Sequence, residues 1–308
     1  MPQLDAGANR RDGCAMTQAV HISGHRGARG LAPENTLEGF AVAFALGVDS
    51  VELDVALTAD GVPVVVHDPA LHGDIVRGPD GRWLGVTGPL VRDLPRAELH
   101  RYDVGRLRPG SAYGVQFAGQ VARDGARIPA LVDVLALARP GSALVDIEIK
   151  TLPDRPELTA APERMVDAVL GAVSAAGMAG RVVLRSFDWR ALHHASRVAP
   201  AVPRAYITAE AMGARAALWW GGADPARHGG SVPATIAAAS GMAGTLWAPA
   251  HRSLTPALLA EATALGLVVM PWTVNEAADM ARLVAWGVPA ICTDYPDRLR
   301  AVLGQLPG

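Results

Sequence analysis

Glu52, Asp54 and His67 fall within one short run, VELDVALTADGVPVVVHD (51–68), where extended backbone would ordinarily carry apolar side chains. In a strand, side chains two apart share a face, so Glu52 and Asp54 point one way while Val51, Leu53 and Val55 point the other. Cα atoms two apart in a strand are about 6.5 Å from each other, so both carboxylates can turn toward one cation that takes oxygen ligands at roughly 2.0–2.6 Å. Like charges on one face repel unless something positive lies between them, and a divalent metal is the simplest such group. A second run, DIEIK (146–150), repeats the pattern, with Asp146, Glu148 and Lys150 on one face and Ile147 and Ile149 on the other. Glu148 is the natural third oxygen ligand, and the sequence has neither the Cys cluster nor the HExxH pair that zinc would use. Three carboxylates around a metal, beside Arg26, Lys150 and the histidines His25 and His67, supply what phosphodiester hydrolysis requires. The cations neutralise phosphoryl oxygens, and a base and an acid stand on opposite sides.

Such a site needs elements to position it. From Val20 onward, β-branched runs alternate with Ala-rich stretches of helical period. AVHIS, VELDV, ALVDIEIK, VVLRSF, RAYIT, TLWAP, LVVMPWTV and PAICTD are the strand candidates, eight in all. Helical stretches such as 163–176, 256–265 and 276–286 lie between most of them. Strand then helix, repeated to eight in a chain of 308 residues, predicts a (β/α)8 TIM barrel. Polar residues follow or end the first three strands, which is where barrel enzymes carry their chemistry. The ninth β-like run, PVVVHD, is separated from VELDV by only a short turn containing Asp60-Gly61. A parallel crossover cannot be that short, so the run is the return arm of a hairpin that carries His67 back toward the strand it left. Asn35 with Glu38 three residues on reads as a capping box that starts a helix over 36–46.

The stretch 69–127 is rich in Gly, Pro and Arg and far longer than an ordinary βα connection, so it reads as an inserted cap after the second strand and its hairpin. A second long connection, 209–233, carries Trp219 and Trp220, read either as loop packing or as cover for the substrate's leaving group. Residues 1–18 are expected to form a disordered tail, and 19–308 a single domain containing the insertion.

Composition narrows the classes. The formal charge of −2 argues against a partner held mainly through phosphate backbone contacts, so no nucleic acid is expected. Cys14 and Cys292 form no framework for disulfides or zinc. No stretch has the pattern of a signal peptide or of a membrane span, so the expectation is a cytoplasmic protein without stable membrane anchoring. Lys150 is the only lysine among 28 basic side chains. A compact ammonium and a planar guanidinium are not equivalent donors, so this retention points to a site without room for the fork. The other histidines, such as His21, His72 and His251, read as structural. Trp272 in PWTVN is either ordinary core or an aromatic wall for the substrate's carbon skeleton.

In order, spacing and wording, HRGARGLAPENTLEGF, ELDVALTADGVPVVVHD, IPALVDVL, DIEIK, RSFDW, MPWTVN and ICTDYP resemble the glycerophosphodiester phosphodiesterase family, from His25 to Pro296. The resemblance implies a phosphodiesterase barrel in which Glu52, Asp54 and Glu148 hold one divalent metal, usually Ca2+ or Mg2+, with Mn2+ a further option. It implies that His25 and His67 form the acid/base pair, that Arg26 and Lys150 contact the phosphate, and that Trp272 lies near the substrate. Glu34 and Asn35 sit in its PENT motif at the site entrance. The implied reaction takes a small glycerophosphodiester, such as glycerophosphocholine or glycerophosphoethanolamine, to sn-glycerol 3-phosphate and an alcohol. Two alternatives stand beside it: a barrel of the same fold acting on a phospholipid, lysophospholipid or sugar phosphodiester, or a barrel that binds such diesters without turnover. Where the family often writes Gly-Val-Asp before the last strand, this chain has Gly287-Val288-Pro289.

Overall fold

A computed structural model describes residues 20–209, 215–242 and 244–305. The expected tail, 1–18, lies outside the described residues. In chain order the elements are β1 (His21–Gly24), α1 (Leu37–Ala45), β2 (Ser50–Leu57), β3 (Pro63–Val65), β4 (Ala70–His72), β5 (Thr87–Leu90), α2 (Arg96–Leu99), α3 (Ala112–Gln116), α4 (Leu131–Ala138) and β6 (Leu144–Ile149). There follow α5 (Pro162–Ala175), β7 (Val182–Ser186), α6 (Trp189–Val198), β8 (Arg204–Thr208), α7 (Ala216–Trp219), α8 (Val232–Ser240), β9 (Leu246–Pro249), α9 (Pro256–Ala264), β10 (Val268–Val269), α10 (Ala277–Ala285), β11 (Ala290–Thr293) and α11 (Pro296–Gln305).

Eight of these strands run parallel in the order β10-β9-β8-β7-β6-β2-β1-β11. The ends of that order meet just beyond β10: the Cys292 N–H donates to the Pro271 carbonyl at 3.0 Å, and the Val274 N–H donates to the Cys292 carbonyl at 3.0 Å. The expected TIM barrel is therefore the observed architecture. All eight residues of β2 are buried, because one face meets helices and the other meets the barrel interior. Val51, Leu53, Val55 and Leu57 join the outer core with α1, α4 and α5, which leaves Glu52 and Asp54 pointing inward. Inside the barrel, Val183, Ala205, Leu246, Met270, Ala290 and Cys292 fill the lower layers. Asp146 faces the same interior but sits lower than Glu148, where the hydroxyls of Ser23 and Ser50 donate to it at 3.2 and 2.9 Å.

β3 pairs antiparallel with β2, Val55 opposite Val65, so the hairpin reading of PVVVHD holds. The start of α1 differs from expectation. Its N-cap is Thr36, whose Oγ1 accepts the Gly39 N–H at 3.0 Å. Asn35 cannot cap, because an N-cap needs extended backbone and Asn35 sits in the left-handed region at φ +54°. Its side chain turns the other way, into the barrel mouth.

Within 69–127, the β4–β5 pair and α2 pack Leu71, Val76, Val91, Leu94, Leu99 and Tyr102 onto Ala56, Val64, Val66 and Ile128 of the hairpin region, forming a second small core. In the 209–233 connection the two tryptophans part. Trp220 is buried and stacks on Trp189 with ring centroids 4.5 Å apart, while Trp219 meets Phe187 edge-on at 6.4 Å. Trp189 also meets Tyr206 edge-on at 4.9 Å and is fully buried. Truncating it leaves a large cavity under the stack, so Trp189→Ala is expected to lower unfolding stability by about 3–5 kcal/mol in a denaturant titration. A change below about 1 kcal/mol would remove Trp189 from the folding core.

Candidate active site

At the C-terminal mouth of the barrel, Glu52, Asp54 and Glu148 each offer an oxygen, and these oxygens all lie within 4.8 Å of one another. The register explains the grouping: β2 and β6 pair in parallel with Asp54 opposite Glu148, so inward side chains of neighbouring strands converge. All three residues are buried. Burial, and next to it the Asp54 charge, pushes the Glu52 carboxyl up to about 8. Burial acts to raise Asp54 as well, but Arg26, then Lys150, outweigh it and hold Asp54 well below the usual carboxylate range. The donor set is all oxygen and crowded enough to leave Glu52 reluctant to ionise. A hard divalent cation fits such a set, since its charge relieves the repulsion that the geometry creates.

Cations surround the acids. Lys150 Nζ donates to Glu148 Oε1 at 2.8 Å and stands 3.4 Å from Asp54 Oδ1. Burial would lower the Lys150 pKa, yet Glu148 and Asp54 turn the balance and raise it. The Arg26 N–H donates to Glu52 Oε2 at 3.0 Å, its Nη1 donates to Glu34 Oε1 at 2.8 Å, and its Nε lies 3.3 Å from Asp54 Oδ2. Arg26 reaches these partners from a left-handed backbone at φ +50°, a conformation that costs a non-glycine residue on the order of 1 kcal/mol. Gly27 beside it has φ +89°, and a Cβ there would come within 2.9 Å of the Gly39 backbone, so the loop can lie against α1 only with glycine. Asn35 Nδ2 donates to Asp54 Oδ2 at 2.9 Å, which places this side chain behind a candidate metal ligand.

His25 directs Nε2 toward Glu52, 3.8 Å from Oε2, while Nδ1 lies 2.7 Å from Asp294 Oδ1. Burial first, and then Arg29, lower the His25 pKa to about 4, with Asp294 opposing them in part. Asp294 is itself fully buried and accepts from Arg29 Nε at 2.8 Å, Arg29 Nη2 at 2.9 Å and Asn275 Nδ2 at 2.7 Å. His67 arrives on the other side from the hairpin arm, with Nδ1 at 2.7 Å from Asp68 Oδ1. Trp272 donates Nε1 to the Ala248 carbonyl at 2.9 Å and meets Phe187 edge-on at 5.4 Å.

His25, Arg26, Glu52, His67, Glu148, Lys150 and Trp272 thus line one cavity of about 140 Å3, with Asp54 in the acidic group at its wall. Beside it a cavity of about 310 Å3, bordered by Lys150, Phe187 and Trp219, shares the Glu148 and Lys150 wall. Some groups in and behind the cavity wall are absent from the expectations drawn from the sequence. Asp294 and Arg29 lie in the quoted runs ICTDYP and HRGARG, but only folding shows that they pair. Arg185 on β7 faces the interior next to Glu148, is buried, and has no hydrogen-bond partner for Nε or Nη1. Its signal was available: a charge within VVLRSF at an inward position, like Glu148 in DIEIK.

Residues 25–298 match the model of the glycerophosphoryl diester phosphodiesterase family. An uncharacterized Bacillus subtilis protein, YqiK, is 32% identical over 282 residues, covering 92% of this chain and 98% of its own. A glycerophosphodiester phosphodiesterase of Caldanaerobacter subterraneus is 28% identical over 278 residues, covering 90% of this chain and 95% of its own. Among solved structures, a Silicibacter pomeroyi protein assigned provisionally as a glycerophosphoryl diester phosphodiesterase superposes with a TM-score of 0.84 at 40% identity, covering 93% of each chain. An Oleispira antarctica phosphodiesterase solved with the product sn-glycerol-3-phosphate shares the fold, with a TM-score of 0.66 at 23% identity, covering 92% of this chain and 97% of that one. Among the described residues no helix is long and apolar enough to cross a membrane. Matched over nearly its whole barrel and built around a cavity of converging acids, cations and histidines, the chain belongs to the glycerophosphoryl diester phosphodiesterase family.

Proposed function

We propose that the protein hydrolyses glycerophosphodiesters such as glycerophosphocholine or glycerophosphoethanolamine to sn-glycerol 3-phosphate and the free alcohol. The observation that carries this reading is the three-carboxylate cluster facing paired cations and two histidines across one small cavity. Glu52, Asp54 and Glu148 would hold one hard divalent ion, Ca2+, Mg2+ or Mn2+, which when bound supplies charge neutralisation to the phosphoryl oxygens. Arg26 and Lys150 share that task from the protein side, and Trp272 walls the carbon skeleton.

His25 and His67 act as a pair. His25 takes the proton-accepting role, because its burial and the nearby Arg29 keep the ring neutral at pH 7 and its lone pair free. With Nδ1–H donated to Asp294, Nε2 presents its lone pair to the cavity. His67, on the opposite arm, gives the proton to the leaving alcohol. The overall balance is one water consumed: its hydroxyl ends on phosphorus, the P–O bond to the alcohol breaks, and the alcohol leaves protonated.

A panel of glycerophosphodiesters, with and without an acyl chain, tests this with Ca2+, Mg2+ or Mn2+ restored after chelation. The expected outcome is that chelation abolishes turnover, that at least one of the three ions restores it, and that His25→Ala removes at least about 100-fold of kcat. Turnover of glycerophosphocholine that survives both EDTA and His25→Ala would sink the scheme.

A further inference from the structure

Tyr113 lies in the 69–127 segment, outside every motif that carries the candidate chemistry, yet its hydroxyl is where the two networks flanking the cavity meet. It donates to Glu34 Oε2 and accepts from Arg29 Nη1 at 3.0 Å. The other oxygen of Glu34 holds Arg26 Nη1, and Arg29 holds Asp294, which in turn holds His25 Nδ1. One phenol therefore touches both the arm that aims Arg26 and the arm that orients His25. Around it the contact is continuous. The Arg29 guanidinium sits 4.7 Å from the centre of the Phe117 ring, the Gln120 amide donates to the Arg29 carbonyl at 2.8 Å, and the Val121 N–H donates to the Leu31 carbonyl at 2.9 Å.

The loop under this strap is the one that needs holding. Arg26 and Asn35 both occupy left-handed backbone, and such conformations persist only where neighbouring contacts over-determine them. A tyrosine present only for packing would leave its hydroxyl in solvent or on a backbone carbonyl. Here burial, followed by the Glu34 charge, keeps the phenol protonated, so it remains a donor to Glu34.

We infer that Tyr113 is a positioning residue of this active site, and that residues 113–121 couple the inserted segment to the aim of Arg26 and His25 without touching the reacting atoms. The inference rests on the phosphodiesterase reading for its kinetic test only. In the metal-loaded full chain, Tyr113→Phe keeps the ring and removes the hydroxyl. Its kcat for glycerophosphocholine is expected to fall about 10-fold, with KM and metal affinity each changed by less than about 3-fold. Glu34→Gln is expected to give a loss no larger than that of Tyr113→Phe, and the double variant to be no worse than the worse single one, because the two share the Tyr113–Glu34 link. Independently of turnover, the ring-proton NMR resonance of the His25 Nδ1–H is expected to move in Tyr113→Phe. Kinetics at the wild-type level with an unmoved resonance would overturn the inference, as would losses that multiply in the double variant. A wild-type protein inactive on every diester would fail the phosphodiesterase reading instead, and the His25 resonance would still decide the role of Tyr113.

Discussion

Glu52→Gln is expected to lower kcat by at least about 10^3-fold and to weaken the divalent ion at least about 100-fold, since even partners one step removed from a metal cost 10–100-fold when lost. The amide has nearly the same size, so the fold survives and the effect is electronic. A second readout separates this from damage. In the metal-free protein, burial and Asp54 raise the Glu52 carboxyl to about 8, against an ordinary value of 4.5. Below pH 4.5 the group is protonated whether the chain is folded or unfolded, and its contribution to stability is fully present. As pH rises from about 4.5 through 8, the unfolded chain sheds this proton first, and the folded state loses stability. Between about 4.5 and 6.5 the buried His25, lowered to about 4, pulls the other way, so thermal melting of the metal-free wild type is expected to fall from about pH 6.5 to 8. The slope should flatten in Glu52→Gln, and an added divalent ion should restore the wild-type melting point at pH 8. A metal-free wild type that melts identically at pH 6.5 and pH 8 would contradict the crowded-carboxylate account.

Asp294→Asn is expected to reduce kcat by about 10^2–10^4-fold while leaving metal affinity within about 3-fold, by analogy with other carboxylates that orient a catalytic imidazole. An asparagine can turn its NH2 toward His25 Nδ1, which then must accept, placing the proton on Nε2 where a lone pair is needed. Arg29 also loses its charge partner within a buried site, so a stability loss of up to about 3–5 kcal/mol accompanies the change. Stability and kinetics separate through Arg29→Lys, which keeps a positive charge and leaves Asp294 on His25; its kcat is expected to fall far less. Metal affinity that collapsed in Asp294→Asn would move this residue from the histidine to the metal.

The parts of this molecule legible in the sequence are those set by short-range alternation. DIEIK and VELDV announce inward charges because strand geometry alternates faces, and the short turn at Asp60-Gly61 excludes a parallel crossover before any coordinates exist. The Asn35 error has the opposite origin. A capping box is a local pattern, but which of Asn35 and Thr36 caps depends on the left-handed turn imposed by packing of the loop against Asp54 and Arg26. Asp294 was invisible as a partner of His25 because 269 residues separate them, and only closure of β11 against β1 brings them together. Asp146 misleads in a further way. It shares a face with Glu148, but a face has depth, and one register step lower it meets serines instead of the acidic group. Tyr113 sits in the segment with the weakest periodicity, where no sequence pattern tells which side chain turns inward.

Lys150, the only lysine, has its ammonium buried between two carboxylates with its side chain 16% exposed. In reagent terms the chain has a single side-chain amine, and it is the one in the cavity. Amine-directed coupling, crosslinking or surface immobilisation thus finds no lysine handle on the outer surface of the barrel, only arginines and carboxylates. Any lysine introduced there by substitution becomes the only side-chain amine on that surface, leaving the Lys150 ammonium shielded by its own ion pairs.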